Sequence, residues 1–262
     1  MKITDIKLTP VTVPFTEPEV WSGGSRPGIT SVIVEVLTSE GIVGIGEAVP
    51  APTPEVTMTT LKGIRDLLIG ESPFEIERLV HKVYSVGGLY PFATMANAAI
   101  GGVEMALWDI VGKATDKPVH TFFGGPLRRQ VSFMFFVQRK GLAEMAADAR
   151  RAVEAGFRTV YTKVGLDYES DVAAVKALRE AIGPNARLRV DANEAWSPGT
   201  AVRILKEMAR YDLEYIEQPI AMRDVEHLKA LRARTSVPIA EIRHHGPIET
   251  CIKCLLRARS IS

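Results

Sequence analysis

Three short apolar runs in the second half of the chain each end in a side chain capable of acid–base or metal chemistry. Lys163 closes the run Val160-Tyr161-Thr162, Asp191 closes Leu188-Arg189-Val190, and Glu217 closes Tyr215-Ile216. The step from Lys163 to Asp191 is 28 residues and from Asp191 to Glu217 is 26, enough for one strand, one helix and two loops. That period describes repeating βα units, and in a parallel barrel every strand opens on one face, where catalytic groups gather. A lysine and two carboxylates would converge there as a candidate base and divalent-metal site. Asp191 and Glu217 are hard oxygen ligands of the kind Mg²⁺ selects. Glu241, directly after Val237-Pro238-Ile239-Ala240, is the candidate third. A single acidic residue at a strand end often only solvates a loop or caps a helix; three at successive strand ends weaken that reading. A lysine beside a cation sheds its proton more readily and can serve as general base near neutral pH, although Lys163 read alone is a lysine paired with a carboxylate. Tyr161, two residues earlier on the same face, could bond substrate, tune Lys163 or fill the barrel interior. Asn193 and Gln218 each follow a candidate ligand and could orient the carboxylates.

The elements that must carry these residues follow from the pattern between them. Strands are expected over 131–136, 159–163, 188–191, 213–217 and 237–240, and helices over 142–155, 168–182, from Ser197-Pro198 to about 210, 224–233 and 248–257, with Gly156 and Gly183 as stops. Alternating strands and helices at this spacing give a parallel sheet with right-handed crossovers. An open doubly wound sheet would normally carry a Gly-rich phosphate loop after its first strand, and none is present. A TIM-type (β/α) barrel is therefore favoured, although such a barrel needs about eight strands and only five are legible.

Before these units the chain reads differently. Residues 2–13 alternate loosely, and runs over 30–37 and 42–49 flank the turn Thr38-Ser39-Glu40-Gly41, giving three antiparallel strands. Residues 15–28, with Pro18, Trp21, Gly23, Gly24, Pro27 and Gly28, read as a long loop, either functional or mobile. Helices are expected over 57–68, from Phe74 after Ser72-Pro73, and over 95–114, the last apolar or small on most sides. Pro118 and Gly124-Gly125-Pro126 punctuate the chain and mark the boundary between an α+β domain over 1–126 and a barrel domain over 127–262.

Bulk properties exclude several classes. Of 262 residues, 46% are hydrophobic and 24% charged, with a formal net charge of +1. No Lys/Arg run is dense enough for a nucleic-acid or membrane surface, and no apolar stretch approaches membrane-spanning length. The N-terminus lacks a signal-peptide core, and two cysteines, Cys251 and Cys254, make a disulfide framework unexpected, so a reducing cytoplasm is the expected compartment. Cys251-Ile252-Lys253-Cys254 falls inside an expected helix with no thioredoxin context and reads as structural. His244-His245 reads as loop histidines, since adjacent residues rarely face one ion.

Several motifs together resemble the mandelate racemase/muconate lactonizing enzyme branch of the enolase superfamily. Val190-Asp191-Ala192-Asn193 and Tyr215-Ile216-Glu217-Gln218-Pro219 resemble its first two metal-ligand motifs. Ala106-Leu107-Trp108-Asp109-Ile110 with Gly112-Lys113 and Phe123-Gly124-Gly125 resembles the end of its capping domain, and Gly44-Ile45-Gly46-Glu47-Ala48 its N-terminal sheet. The resemblance implies an N-terminal α+β capping domain followed by the barrel. It implies a Mg²⁺ site with Asp191 and Glu217 as ligands, and Lys163 as the base that removes the proton α to the carboxylate of a small-molecule substrate. That proton is too weakly acidic for a lysine unless the enediolate is stabilised, which the bound Mg²⁺ does in this superfamily. The segments 15–28, with Trp21, Ser25 and Arg26, and 50–53 would close over substrate. A homo-oligomer is expected on the same grounds.

The chain departs from that pattern in three places. Where the family carries Lys-x-Lys, this sequence has Tyr161-Thr162-Lys163, which removes one cation and points toward a dehydratase or epimerase among the dehydratases, racemases and cycloisomerases of the group. Glu241 follows its strand about two residues early, a displacement of about 7 Å along an extended chain. The sequence also ends at Ser262, before the remaining strands and the opposing acid/base residue, as a truncated reading frame or a chain completed by a neighbour would. The competing expectation is an inactive or scaffolding relative.

Overall fold

The computed structural model describes residues 1–221 and 225–241. They divide into two units, residues 1–14 with 28–129, and residues 15–27 with the described residues from Gln130 on. Each has its own apolar core. No helix among the described residues is long and apolar enough to cross a membrane.

Strands β1 (Ile3–Trp21), β2 (Gly24–Thr38) and β3 (Val43–Ala48) form one sheet in that order, with residues 15–27 at the end of the β1–β2 hairpin counted in the second unit and the rest in the first. β2 and β3 pair antiparallel from Val32↔Ala48 to Leu37↔Val43. Val32, Val34 and Val36 are fully buried, the period-2 signature of a sheet with one packed face. Helices α1 (Pro54–Leu68), α2 (Ile76–Ser85) and α3 (Ala93–Thr115) complete the unit. α3 approaches β3 so closely that only glycine fits at two alternate strand positions. A Cβ on Gly44 would fall 2.0 Å from the Ala106 carbonyl oxygen, and one on Gly46 1.9 Å from that of Gly102. The Asp109 carboxylate then accepts the Ile45 amide at 2.8 Å, and Lys113 donates to the Val43 carbonyl at 2.7 Å. The Gly-x-Gly strand and the small-residue helix are thus two halves of one contact.

Two expectations for this unit need correction. Residues 15–28 are not a loop, because β1 and β2 extend as a hairpin through them and turn only at Ser22-Gly23. Proline and glycine gave the misleading signal. Pro10, Pro14 and Pro18 share one parity along β1, and β1 lies at the sheet edge, where a strand tolerates missing donors. The second helix starts at Ile76 rather than Phe74, since Ser72-Pro73-Phe74-Glu75 is a turn closed by the Glu75 amide on the Ser72 carbonyl at 3.2 Å.

In the second unit, β4 (Phe135–Val137), β5 (Thr159–Lys163), β6 (Arg187–Asp191), β7 (Leu213–Glu217) and β8 (Ile239–Ala240) form a parallel sheet in sequential order. Helices α4 (Leu142–Glu154), α5 (Tyr168–Ile182), α6 (Pro198–Met208) and α7 (Val225–Arg232) connect them. The five βα-type strands expected from sequence are therefore present among the described residues. Asp167 caps α5 by accepting the Ser170 amide at 2.9 Å, and Ser197 caps α6 by accepting that of Thr200 at 3.2 Å with Pro198 in the first turn. The first strand is shorter than expected: Val131 and Phe133 are exposed, and pairing begins only at Phe135↔Val160. The last is also short, with Pro238 lacking the amide to extend it. The expected helix over 248–257, His244-His245, Cys251 and Cys254 lie outside the described residues.

Alternation along β5–β7 sorts the side chains. Val160, Thr162, Leu188, Val190 and Ile216 are buried on one face, and Tyr161, Lys163, Arg189, Asp191, Tyr215 and Glu217 share the other. One irregularity sets this alignment. Leu188 pairs with Leu213, yet Arg189 pairs with Tyr215, so Glu214 is an extra residue in β7. Its carboxylate is held by Arg189 at 2.6 Å and Arg187 at 3.3 Å. Beyond this bulge Asp191 and Glu217 stand side by side.

Candidate active site

Strand register builds the site. Lys163 pairs with Asp191, Asp191 with Glu217, and Glu217 with Ala240, giving one row across the C-terminal ends of four adjacent parallel strands. The backbone continues the register past the row: Val164 donates to the Asp191 carbonyl at 2.8 Å, Ala192 to that of Glu217 at 3.1 Å, and Gln218 to that of Ala240 at 3.0 Å.

Asp191 is the hub. Its Oδ2 accepts from Lys163 Nζ at 2.7 Å, from the Tyr161 hydroxyl at 2.9 Å and from Asn193 Nδ2 at 2.9 Å, while its Oδ1 accepts the Asn193 amide at 2.7 Å. Asn193 bends back onto the carboxylate with φ 47°, a left-handed conformation that asparagine tolerates better than most residues. The Asp191 side chain is 2% exposed and that of Lys163 13%, so the pair is largely withdrawn from water while the amine keeps a path to it. The Tyr161 hydroxyl also lies 3.4 Å from Glu217 Oε2 and receives Lys163 Nζ at 3.2 Å. Burial first, then the charges of Asp191 and Glu217, push the pKa of this phenol up, so it keeps its proton and acts as donor. Its ring packs on Phe136, 5.6 Å between centroids.

Gln218 is buried with φ 42°, and its carbonyl accepts the Glu194 amide at 2.7 Å; it fixes the loop after β7 through its backbone. Ala240, not Glu241, takes the fourth place in the row, and Glu241 follows it outside the strand. Among the described residues no group of three or more His, Cys, Asp or Glu side chains is placed to hold a metal ion. Asp191 and Glu217, reached by a single hydroxyl, do suit Mg²⁺, which often takes only one or two carboxylates and completes its octahedron with water and substrate oxygens.

The hairpin tip belongs to the same unit. Trp21 ends β1, and Ser25 and Arg26 are exposed on β2. Arg26 is engaged locally, with Nε and Nη2 each 2.6 Å from Glu19 Oε2 and its guanidinium 5.9 and 5.8 Å from the Phe15 and Trp21 ring centroids. Ser22 is the tip residue that reaches the row, donating to the Ala192 carbonyl at 3.1 Å. Glu17 is held by Lys140 at 2.8 Å. Ser22 was not identified from sequence; a small polar residue in a Trp-Ser-Gly-Gly turn was its only mark.

Residues 3–124 match the family model for the mandelate racemase / muconate lactonizing enzyme N-terminal domain, and residues 144–244 match the enolase C-terminal domain-like model. A hydrophobic dipeptide epimerase of Enterococcus faecalis is 34% identical over 247 residues, covering 91% of this chain and 67% of that protein. The crystal structure of a dipeptide epimerase from the same species, complexed with Mg and the dipeptide L-Leu-L-Tyr, aligns with TM-score 0.84 at 31% identity, over 92% of this chain and 68% of that one. The N-succinyl Arg/Lys racemase structure from Bacillus cereus aligns with TM-score 0.89 at 28% identity, over 97% and 70%. An arabinonate dehydratase of Saccharolobus solfataricus is 29% identical over 214 residues, 80% of this chain and 57% of that protein. The chain thus spans about two thirds of the length of the relatives it matches.

Proposed function

The chain belongs to the mandelate racemase/muconate lactonizing enzyme branch of the enolase superfamily, and from that premise we propose that it removes the proton α to a substrate carboxylate, with Lys163 as the base. Its relatives are epimerases, racemases and dehydratases, reactions that share this first step. The observation that carries the reading is the row itself: one lysine and two carboxylates, in register on neighbouring strands, with Tyr161 bonded to all three.

Asp191 and Glu217 would hold a divalent cation, Mg²⁺ by the chemistry of the donors. When bound, it supplies the positive charge that makes an enediolate accessible to a lysine base. The protein's own groups do the rest. Asn193 and Tyr161 orient Asp191, and Tyr161 keeps Glu217 turned toward the same point. Lys163, tethered to Asp191, receives the α-proton at Nζ once that amine is neutral. Because position 161 is a neutral phenol rather than a second cation, the row carries one positive charge against two negative ones. This favours substrates with a single carboxylate at the reacting end, such as dipeptides, N-acyl amino acids and sugar acids.

The test is α-proton exchange in D₂O with Mg²⁺, followed by ¹H NMR over hydrophobic dipeptides, N-succinyl amino acids and aldonic acids. Wild type should exchange the α-proton of one class, and Lys163→Ala should lose that exchange by about 10²–10⁴-fold, the range of general base catalysis. Exchange that persists in Lys163→Ala, or none with any substrate, would overturn the proposal.

A further inference from the structure

We propose that a buried ion pair away from the row, Arg139 with Asp171, is a positioning device that holds Lys163 against Asp191; this rests on the reading of Lys163 as the base. Asp171 lies in the first turn of α5, on the stripe that also buries Val175, Leu178 and Ile182, and is fully buried. A carboxylate on the core face of an amphipathic helix is unexpected unless something there needs it. Its partners are specific. Oδ2 accepts the Gly165 amide at 2.7 Å, and Oδ1 accepts that of Leu166 at 3.4 Å and lies 3.4 Å from Arg139 Nη2. Arg139, just past β4 and with a side chain only 6% exposed, also donates to Ser170 Oγ at 3.1 Å and the Ser170 carbonyl at 3.5 Å.

The amides Asp171 holds belong to the loop that directly follows Lys163. That loop has no slack. Gly165 has φ +95°, and a Cβ there would fall 2.6 Å from Ala195 Cβ, 2.8 Å from the Ala192 carbonyl oxygen and 3.2 Å from Ser22 Cβ. The loop after Lys163 is wedged between the loop after Asp191 and the hairpin tip, and the Val164 amide on the Asp191 carbonyl closes the contact at 2.8 Å. With the loop anchored on the Asp171 carboxylate from one side and on the Asp191 backbone carbonyl from the other, Lys163 reaches the Asp191 carboxylate at 2.7 Å. Stability alone gives little reason for the pair. Burial raises the pKa of Asp171 and lowers that of Arg139, so each charge is costly to hold there, and an apolar pair of similar volume is often at least as stable. What an apolar pair could not do is accept the Gly165 and Leu166 amides.

The experiment needs no substrate, so it stands apart from the exchange assay. Whole-chain protein is treated with limiting acetic anhydride and lysine labelling rates are read by peptide mass spectrometry, alongside backbone amide exchange. Lys176, whose side chain is 58% exposed, is the internal reference. In wild type, Lys163 should label about tenfold more slowly than Lys176. In Asp171→Leu, and in the charge-balanced Asp171→Leu/Arg139→Met double variant, neither of which can accept the Gly165 and Leu166 amides, Lys163 should approach the reference rate. Gly165 and Leu166 amides should exchange about tenfold faster, with β5 amides still protected, as a local opening requires. Lys163 labelling and Gly165 exchange within about twofold of wild type in a folded variant would overturn the proposal. So would acceleration spread over all of β5 and α5, or loss of cooperative melting in both variants, either of which makes the pair a support of the whole unit rather than of the lysine. Lys163 labelling as fast as Lys176 in wild type would instead break the Lys163–Asp191 pairing itself.

Discussion

Replacing Tyr161 with phenylalanine isolates what one hydroxyl does for the row. The ring and its packing on Phe136 stay; the bonds to Asp191 at 2.9 Å and Glu217 at 3.4 Å, and the acceptor for Lys163 at 3.2 Å, go. A hydrogen bond to a charged group contributes about 1.5–3 kcal/mol. Asp191 Oδ2 keeps two other donors, so the loss falls at the lower end, about 1.5 kcal/mol of unfolding free energy by urea titration. The effect on the cation site has the same size. Groups that orient a ligand are typically worth about 10–100-fold in metal affinity. Asn193 still fixes both oxygens of Asp191, so the Kd for Mn²⁺, a paramagnetic probe for Mg²⁺, should rise by about tenfold, or about 1.4 kcal/mol, on electron paramagnetic resonance titration of the whole chain. An affinity that stays the same or tightens, in a variant whose melting shows that the bond was lost, refutes the orienting role and makes the phenol a competitor for the carboxylate oxygens. Absence of Mn²⁺ binding in wild type would remove the cation site altogether.

Asp191→Asn should melt cooperatively, because the one amide oxygen can still accept from Lys163, Tyr161 and Asn193 Nδ2, yet lose Mn²⁺ binding; binding that survives would exclude Asp191 as a ligand. Gly46→Ala should cost about 3 kcal/mol, the upper range for overpacking, because the new Cβ meets the Gly102 carbonyl of α3. Gly63→Ala, on the exposed face of α1 with nothing within 4 Å, should instead stabilise by roughly 0.5–1 kcal/mol. Equal urea midpoints for the two would contradict the close helix–strand contact. Glu71, held by Lys82 and Arg78, has its pKa lowered from 4.5 to about 2. Its contribution is therefore complete above pH 4.5 and lost as pH falls toward 2. The Tm difference between wild type and Glu71→Gln should shrink over that window, and a difference constant with pH would dissociate Glu71 from these cations.

The row was legible because strand, turn and helix signals repeat at nearly constant spacing, and each strand ends on a polar side chain that an interior position would not admit. Lys163, Asp191 and Glu217 could be assigned to strand ends without knowing their distances. What the spacing left open was contact across strands. Tyr161 was equally consistent with substrate, lysine and interior, since its bridge from Asp191 to Glu217 depends on three strands at once. Asp171 was hidden by its own helix, since acidic residues such as Glu169 and Asp171 are ordinary in a first turn. The hairpin over 15–28 was misread because proline and glycine mark loops by local preference, whereas an edge strand accepts proline wherever its amide would have faced outward. Glu17, Ser22 and Arg26 acquired their partners only once that hairpin was formed.

The extra residue at Glu214 bears on which changes in chain length this architecture can absorb. α6 and the loops beside it can grow or shrink without disturbing the row, because each strand is placed by its neighbours and not by the count of residues between them. Inside the strands the tolerance narrows to that one surplus residue. Without Glu214, Leu213 and Tyr215 would follow each other opposite Leu188 and Arg189, and Glu217 would still stand beside Asp191. Deleting Val190 from β6, which has no extra residue to give up, would instead put Asp191 opposite Ile216 and turn its carboxylate to the other face of the sheet. A single-codon deletion there would be more damaging than the loss of several residues from a connecting loop. Insertions and deletions along this half of the chain should therefore be accepted in the connections and, outside the bulge, refused within the strands.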